Sequence, residues 1–84
     1  MKLEQVLYTK MVSAMSTLGE EEAVIRKDLT ESIERVGLRE TARQVVQYLL
    51  QEVEDAPREL IRQTIHSCHF ITKTALQLSL TRSH

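Results

Sequence analysis

The sequence predicts an all-α fold, a small three- to four-helix domain that dimerises through its long C-terminal helix. Three observations carry the helical part. Apolar residues recur every three to four positions in successive segments, the spacing of one helix face. Only Gly19, Gly37 and Pro57 punctuate 84 residues, too few for the turns of a sandwich or barrel. Leu, Glu, Gln and Arg, all good helix formers, are abundant. The length fits a single domain over residues 1–84. At 42% hydrophobic and 27% charged the chain belongs with sequences that fold.

Leu3, Leu7, Met11, Ala14 and Leu18 form the first apolar stripe and place helix 1 at about 3–17. Thr17, followed three residues later by Glu20, has the form of a capping box that opens the next helix. Glu20, Glu21 and Glu22 then fall in a first turn, where the free amides of a helix N-terminus favour carboxylates. Ile25, Leu29, Ile33 and Val36 continue as one stripe up to Gly37, which suits the left-handed residue ending a helix, so helix 2 is about 20–36. Ala42, Val45, Val46, Leu49, Leu50 and Val53 give helix 3, about 39–54, the widest apolar face. Asp55 is a candidate N-cap and Pro57 a first-turn proline for helix 4. That helix runs to roughly residue 80 through Leu60, Ile61, Ile65, Cys68, Ile71, Ala75 and Leu78. Phe70, Leu76 and Leu80 lie off this line, so helix 4 has two apolar faces and needs two partners.

Three aromatics and no Trp leave a thin core for a lone protomer of this size, and self-association remedies it. The expected dimer interface is Ile61, Ile65, Cys68, Ile71, Ala75 and Leu78. The formal charge is −1, which gives no overall field toward nucleic acid or an anionic membrane. Residues 1–59 nevertheless hold eight Lys/Arg against twelve Asp/Glu, whereas residues 60–84 hold Arg62, Lys73 and Arg82 and no acid. A single cysteine excludes an intrachain disulfide, and no run approaches a signal peptide or a membrane span. A cytoplasmic protein is the expectation.

His66 and His69 are i,i+3 neighbours that could chelate a metal from one helix face, and two copies meeting through helix 4 could complete such a site. Cys68 projects elsewhere, however, and no second ligand pair lies nearby, so exposed histidines beside a small core cysteine are the preferred reading, with no metal and no cofactor. Cys68 lacks a base in attacking geometry, and phosphate-loop, dinucleotide and zinc-protease motifs are missing, so no enzymatic activity and no small-molecule substrate are expected. Helix 3, the turn at Pro57 and helix 4 could form a helix-turn-helix that contacts nucleic acid through Arg58, Arg62 and Lys73. Glu52, Glu54, Asp55 and Glu59 surround that turn and oppose phosphate, which favours an antiparallel hairpin.

Leu18-Gly19-Glu20-Glu21-Glu22, Ile25 and Ile33 ahead of Gly37, then Val45-Val46, Leu49-Leu50 and Val53-Glu54 resemble the small bacterial AriR (YmgB) regulators. The pattern runs without a gap from Glu20 to Glu54, and Ile61-Arg62-Gln63-Thr64-Ile65 is similar to the start of that family's last helix. The resemblance implies a non-enzymatic helical dimer that acts by contacting other regulators in biofilm and acid-resistance control, as a connector to two-component signalling. It also implies some direct or indirect DNA association. The residue-level reading agrees on a compact, self-associating helical molecule without a catalytic centre. The alternatives are a DNA-binding transcriptional regulator, and a secretion- or phage-type chaperone or antagonist subunit that presents a helical groove.

Overall fold

The computed structural model describes the backbone of residues 2–82 and the side chains of residues 2–80. Four helices follow one another: α1 (Leu3–Thr17), α2 (Glu22–Val36), α3 (Leu38–Glu52) and α4 (Arg58–Arg82). No strand occurs among the described residues. The all-α fold read from periodicity is the fold observed, with boundaries shifted by two residues at most.

One continuous core holds the helices together. α1 contributes Leu7, Met11 and Ala14, one helical face, together with Val12. α2 adds Ile25 and Leu29, and α3 adds Ala42, Val45 and Leu49. α4 closes the core with Cys68 and Ile71. α4 packs against α3 and α1, while α2 packs against α3 and α1 on the other side and makes no contact with α4 among the described residues. With 25 residues α4 is about 37 Å long at 1.5 Å per residue, and it sets the 42 Å long axis of a molecule only 23 and 22 Å across.

Local hydrogen bonding explains where the helices begin and end. The anticipated Thr17–Glu20 capping box does not form. Thr17 is still helical in α1, and its hydroxyl donates back to the Ser13 carbonyl at 3.0 Å. Gly19, at φ +96°, breaks the chain, and Glu21 becomes the N-cap of α2, its carbonyl accepting from the Ile25 amide at 3.0 Å. Glu22 alone of the three glutamates sits in the first turn, where it pairs with Arg26 at 2.9 Å.

Gly37 is the single residue between α2 and α3. Its amide donates to the Ile33 carbonyl at 2.9 Å, and its carbonyl accepts the Thr41 amide at 3.1 Å. Its φ of +92° was anticipated in sign, but ψ of 162° puts it in the mirror-extended region that is essentially closed to any residue with a Cβ. The Ser32 and Thr41 hydroxyls, 2.8 Å apart, tie the two helices beside this corner. At the α3–α4 turn Pro57 precedes the first helical residue, and its carbonyl accepts the Ile61 amide at 3.1 Å. Asp55 is exposed in the turn before it.

Gly37→Ala should therefore destabilise the fold by about 1–3 kcal/mol through backbone strain, since a Cβ there meets no neighbour within 4 Å. Ile71→Ala, at a fully buried position, should lose about 2–5 kcal/mol. Urea unfolding of both variants at low protein concentration measures each loss, and a Gly37→Ala midpoint equal to wild type would refute the strain.

Candidate interaction surface

The buried line of α4 is Thr64, Cys68, Ile71 and Thr74, at steps of four, three and three residues. Cys68 is 6% exposed and Ile71 not at all, and Ala75 and Leu78 pack partly buried against the same core. The six residues expected at a dimer interface are therefore divided between the two sides of α4. Cys68, Ile71, Ala75 and Leu78 are engaged by α1 and α3 of their own chain, because the side of α4 that carries them is the one turned inward. Of the expected set, Ile61 is half-buried and Ile65 is exposed at 53%.

The solvent side of α4 is mostly polar but carries three large apolar residues. Ile65, Leu76 (56%) and Leu80 (63%) lie along it, among Arg58, Arg62, His69 and Lys73. Between α4 and α3 runs an open groove of about 600 Å³ lined by Val36, Arg39, Arg43, Val46, Thr72 and Leu76. Val36 and Leu50 add exposed apolar surface from the α2–α3 side. Arg43 forms an ion pair with Glu40, and the hydrogen bond from Arg43 holds that carboxyl below the usual carboxylate range. Exposed as it is, the pair adds little stability, but it fixes the orientation of Arg43 at the lip of the groove.

A second groove, of about 480 Å³, separates α4 from α1 and is polar, with Lys10, Thr17, Glu59, Arg62, Gln63 and His66 on its walls. The Lys10 ammonium lies 5.4 Å from the centroid of the Phe70 ring. Periodicity missed this groove because its residues come from the polar sides of both helices.

Arg58, Arg62 and Lys73, the nucleic-acid candidates, are all exposed. Arg62 borders the polar groove, and all three lie on the solvent side of α4 with His66 and His69. Both histidines are exposed, and no three His, Cys, Asp or Glu side chains among the described residues gather where they could hold a metal ion. The Cys68 thiol lies inside, 4.0 Å from the Val46 carbonyl, and burial pushes its pKa up. A raised thiol pKa disfavours the thiolate that nucleophilic chemistry requires.

Glu20 does not serve a helix start. Its Oε1 accepts a hydrogen bond from the Tyr48 hydroxyl at 3.0 Å, which joins the α1–α2 turn to α3. Its Oε2 is buried with no hydrogen-bond partner among the described residues. Burial first, and then the Glu20 carboxylate, push the Tyr48 phenol up to about 12. A separation of 28 residues hides this pair from any local reading of the sequence. Tyr8 links α1 to α2, with the Arg26 guanidinium 5.8 Å from its ring centroid.

No family model, curated protein or solved structure matches this chain. No described helix is long and apolar enough to cross a membrane.

Tyr48 holds its proton more tightly in the folded chain than at its ordinary value of 10.0. The stabilisation this gives is complete below that pH and is lost as pH rises toward about 12. The difference in urea stability between wild type and Tyr48→Phe should shrink over this alkaline interval. A difference independent of pH would refute the assignment.

Proposed function

We propose that this protein is a small non-enzymatic regulator that acts by protein–protein contact, in the cytoplasm. One observation carries the reading: of the large apolar side chains left in solvent, Val36 and Leu76 line the α3–α4 groove, and Leu50 and Ile65 stand exposed on the same two helices. Scattered exposed apolar residues are ordinary on a soluble surface, but apolar residues in a groove edged by Arg39 and Arg43 have the composition of a recognition surface. Biofilm and acid-resistance control, as a connector to two-component signalling, is the setting supplied by the resemblance to AriR-type regulators. A chaperone or antagonist subunit would use the same open groove.

Capture with the tagged full chain from its native cells, followed by mass spectrometry, tests the contact reading. A stoichiometric protein partner should be retained by wild type and lost with Leu50→Glu, a folded variant altered at a half-exposed position. Capture unchanged by that substitution, or none at all, would overturn the assignment of this side.

A second reading, direct DNA contact, draws on Arg58, Arg62 and Lys73 standing exposed together. It requires salt-sensitive affinity for duplex DNA, because neutralising phosphates releases counterions. Under the contact reading, gel shifts at low salt show no band that Arg62→Ala removes.

A further inference from the structure

The polar groove between α1 and α4 has a graded wall. At about 100° of turn per residue around α4, Thr64, Ser67, Gln63, His66 and Arg62 pass in that order from floor to lip. Exposure rises the same way, from Thr64 at 5% through half-buried Ser67 to the other three in solvent. Buried Ala14 completes the floor from the α1 side, and Lys10 and Thr17 stand above it. Thr64 is the informative residue. Its hydroxyl bonds to no other described residue, yet its oxygen is not sealed off as Glu20 Oε2 is. The part left open faces the groove, so a buried donor and acceptor is supplied only from there.

The charges around it are unmatched. Lys10, Arg62 and His66 form no ion pair among the described residues, and Lys10 is steadied instead over the Phe70 ring at 5.4 Å. Glu4 and Glu59 are the only acids on α1 and α4, because the rest of the chain's carboxylates lie on α2, on α3 and in the turns. Glu59 alone of the two borders the groove, seven residues and about 10 Å along α4 from His66. Lys10 belongs to the His66 end, since Phe70 is one turn beyond His66. The lining therefore has a cationic end rich in donors and, at the other end, one strong acceptor.

We propose that this groove binds a small phosphorylated polyol, such as a sugar phosphate. The phosphate accepts from Lys10, Arg62 and His66 and from the Thr64 and Ser67 hydroxyls. The ligand's own hydroxyls donate to the Glu59 carboxylate and exchange hydrogen bonds with Gln63. A volume of about 480 Å³ is of the right order for such a molecule. Other ligand classes each conflict with a feature of the lining. A nucleotide base stacks on aromatic faces, and no aromatic residue lines the groove. An acyl chain needs apolar walls and finds only Ala14. A nucleic-acid strand would set further phosphates beside Glu59. The site goes beyond the contact reading and does not depend on it, for the groove between α3 and α4 lies on the other flank of α4.

Amide chemical shifts of the full chain test the site, with glucose 6-phosphate, inorganic phosphate, glucose and a short DNA duplex titrated separately at constant ionic strength. Glucose 6-phosphate should shift the Lys10, Thr64 and Ser67 amides saturably, with half-occupancy below about 5 mM. Inorganic phosphate should bind the same amides more weakly, and glucose and the duplex should leave them unshifted. Lys10→Gln, which leaves the core alone, should weaken glucose 6-phosphate binding at least about fivefold. Thr64→Val keeps the shape of the floor without its hydroxyl and should cost about threefold or more. Glu59→Ala should act in two directions. Inorganic phosphate binds more tightly once the neighbouring negative charge is gone, while the advantage of the sugar ester shrinks with the loss of its acceptor. Half-occupancy above that concentration, affinity untouched by Lys10→Gln, inorganic phosphate bound as tightly as the ester, or a duplex that shifts these amides in its place would each overturn the proposal.

Discussion

The fold depends on the docking of one face of α4 onto α1 and α3. Thr64, Cys68, Ile71 and Thr74 turn inward along that face, where Cys68 and Ile71 join the core with Leu7, Met11 and Leu49. Remove α4, and the buried sides of α1 and α3 that it covers are left in water, at roughly 25 cal/mol for each Å² of apolar surface. α2 cannot compensate, because it lies on the opposite side and touches only α1 and α3. Its own attachment relies on Ile25 and Leu29 and on two polar ties, Ser32 with Thr41 and Tyr8 with Arg26. The molecule is therefore a three-helix core with α2 laid against its back, and its outward chemistry is concentrated on the α3–α4 front.

Much of this was legible in the residues because helical periodicity is a local property. The spacing of Leu7, Met11 and Ala14, and of Ala42, Val45 and Leu49, gave both the helices and their inner faces. The single glycine between Val36 and Leu38 marked the tightest corner. What periodicity could not decide was which of two apolar faces on α4 turns inward. Cys68 and Ile71 are on the inner one and Ile65, Leu76 and Leu80 on the outer one, and only the positions of α1 and α3 distinguish them. Thr17 misled for a related reason: its hydroxyl had a carbonyl within its own helix to satisfy, four residues back, before any amide of the next helix came into reach. Glu20 was assigned to a helix start because its partner, Tyr48, is adjacent only in space.

The candidate surface was half legible. Ile65 and the cations Arg58, Arg62 and Lys73 could be singled out from the sequence, and all four stand in solvent. The groove that Val36, Val46 and Thr72 make with Arg39 and Arg43 could not be, since it is created by the crossing of two helices rather than by either one. An open trough with Arg39 and Arg43 at its edge has the shape to receive the flank of another helix, the kind of contact proposed for this protein.

Cys68 gives the molecule a built-in gauge of its own breathing. Its sulfur sits against the Val46 carbonyl between α3 and α4, with its pKa raised by burial alone. A thiol reagent can reach it only while the two helices stand apart, so the rate of labelling at fixed pH reports how often that hinge parts. A ligand seated across both helices would slow the labelling without touching the sulfur, whereas one bound elsewhere would leave it alone. The lone thiol thus makes occupancy of the front of the bundle visible from within.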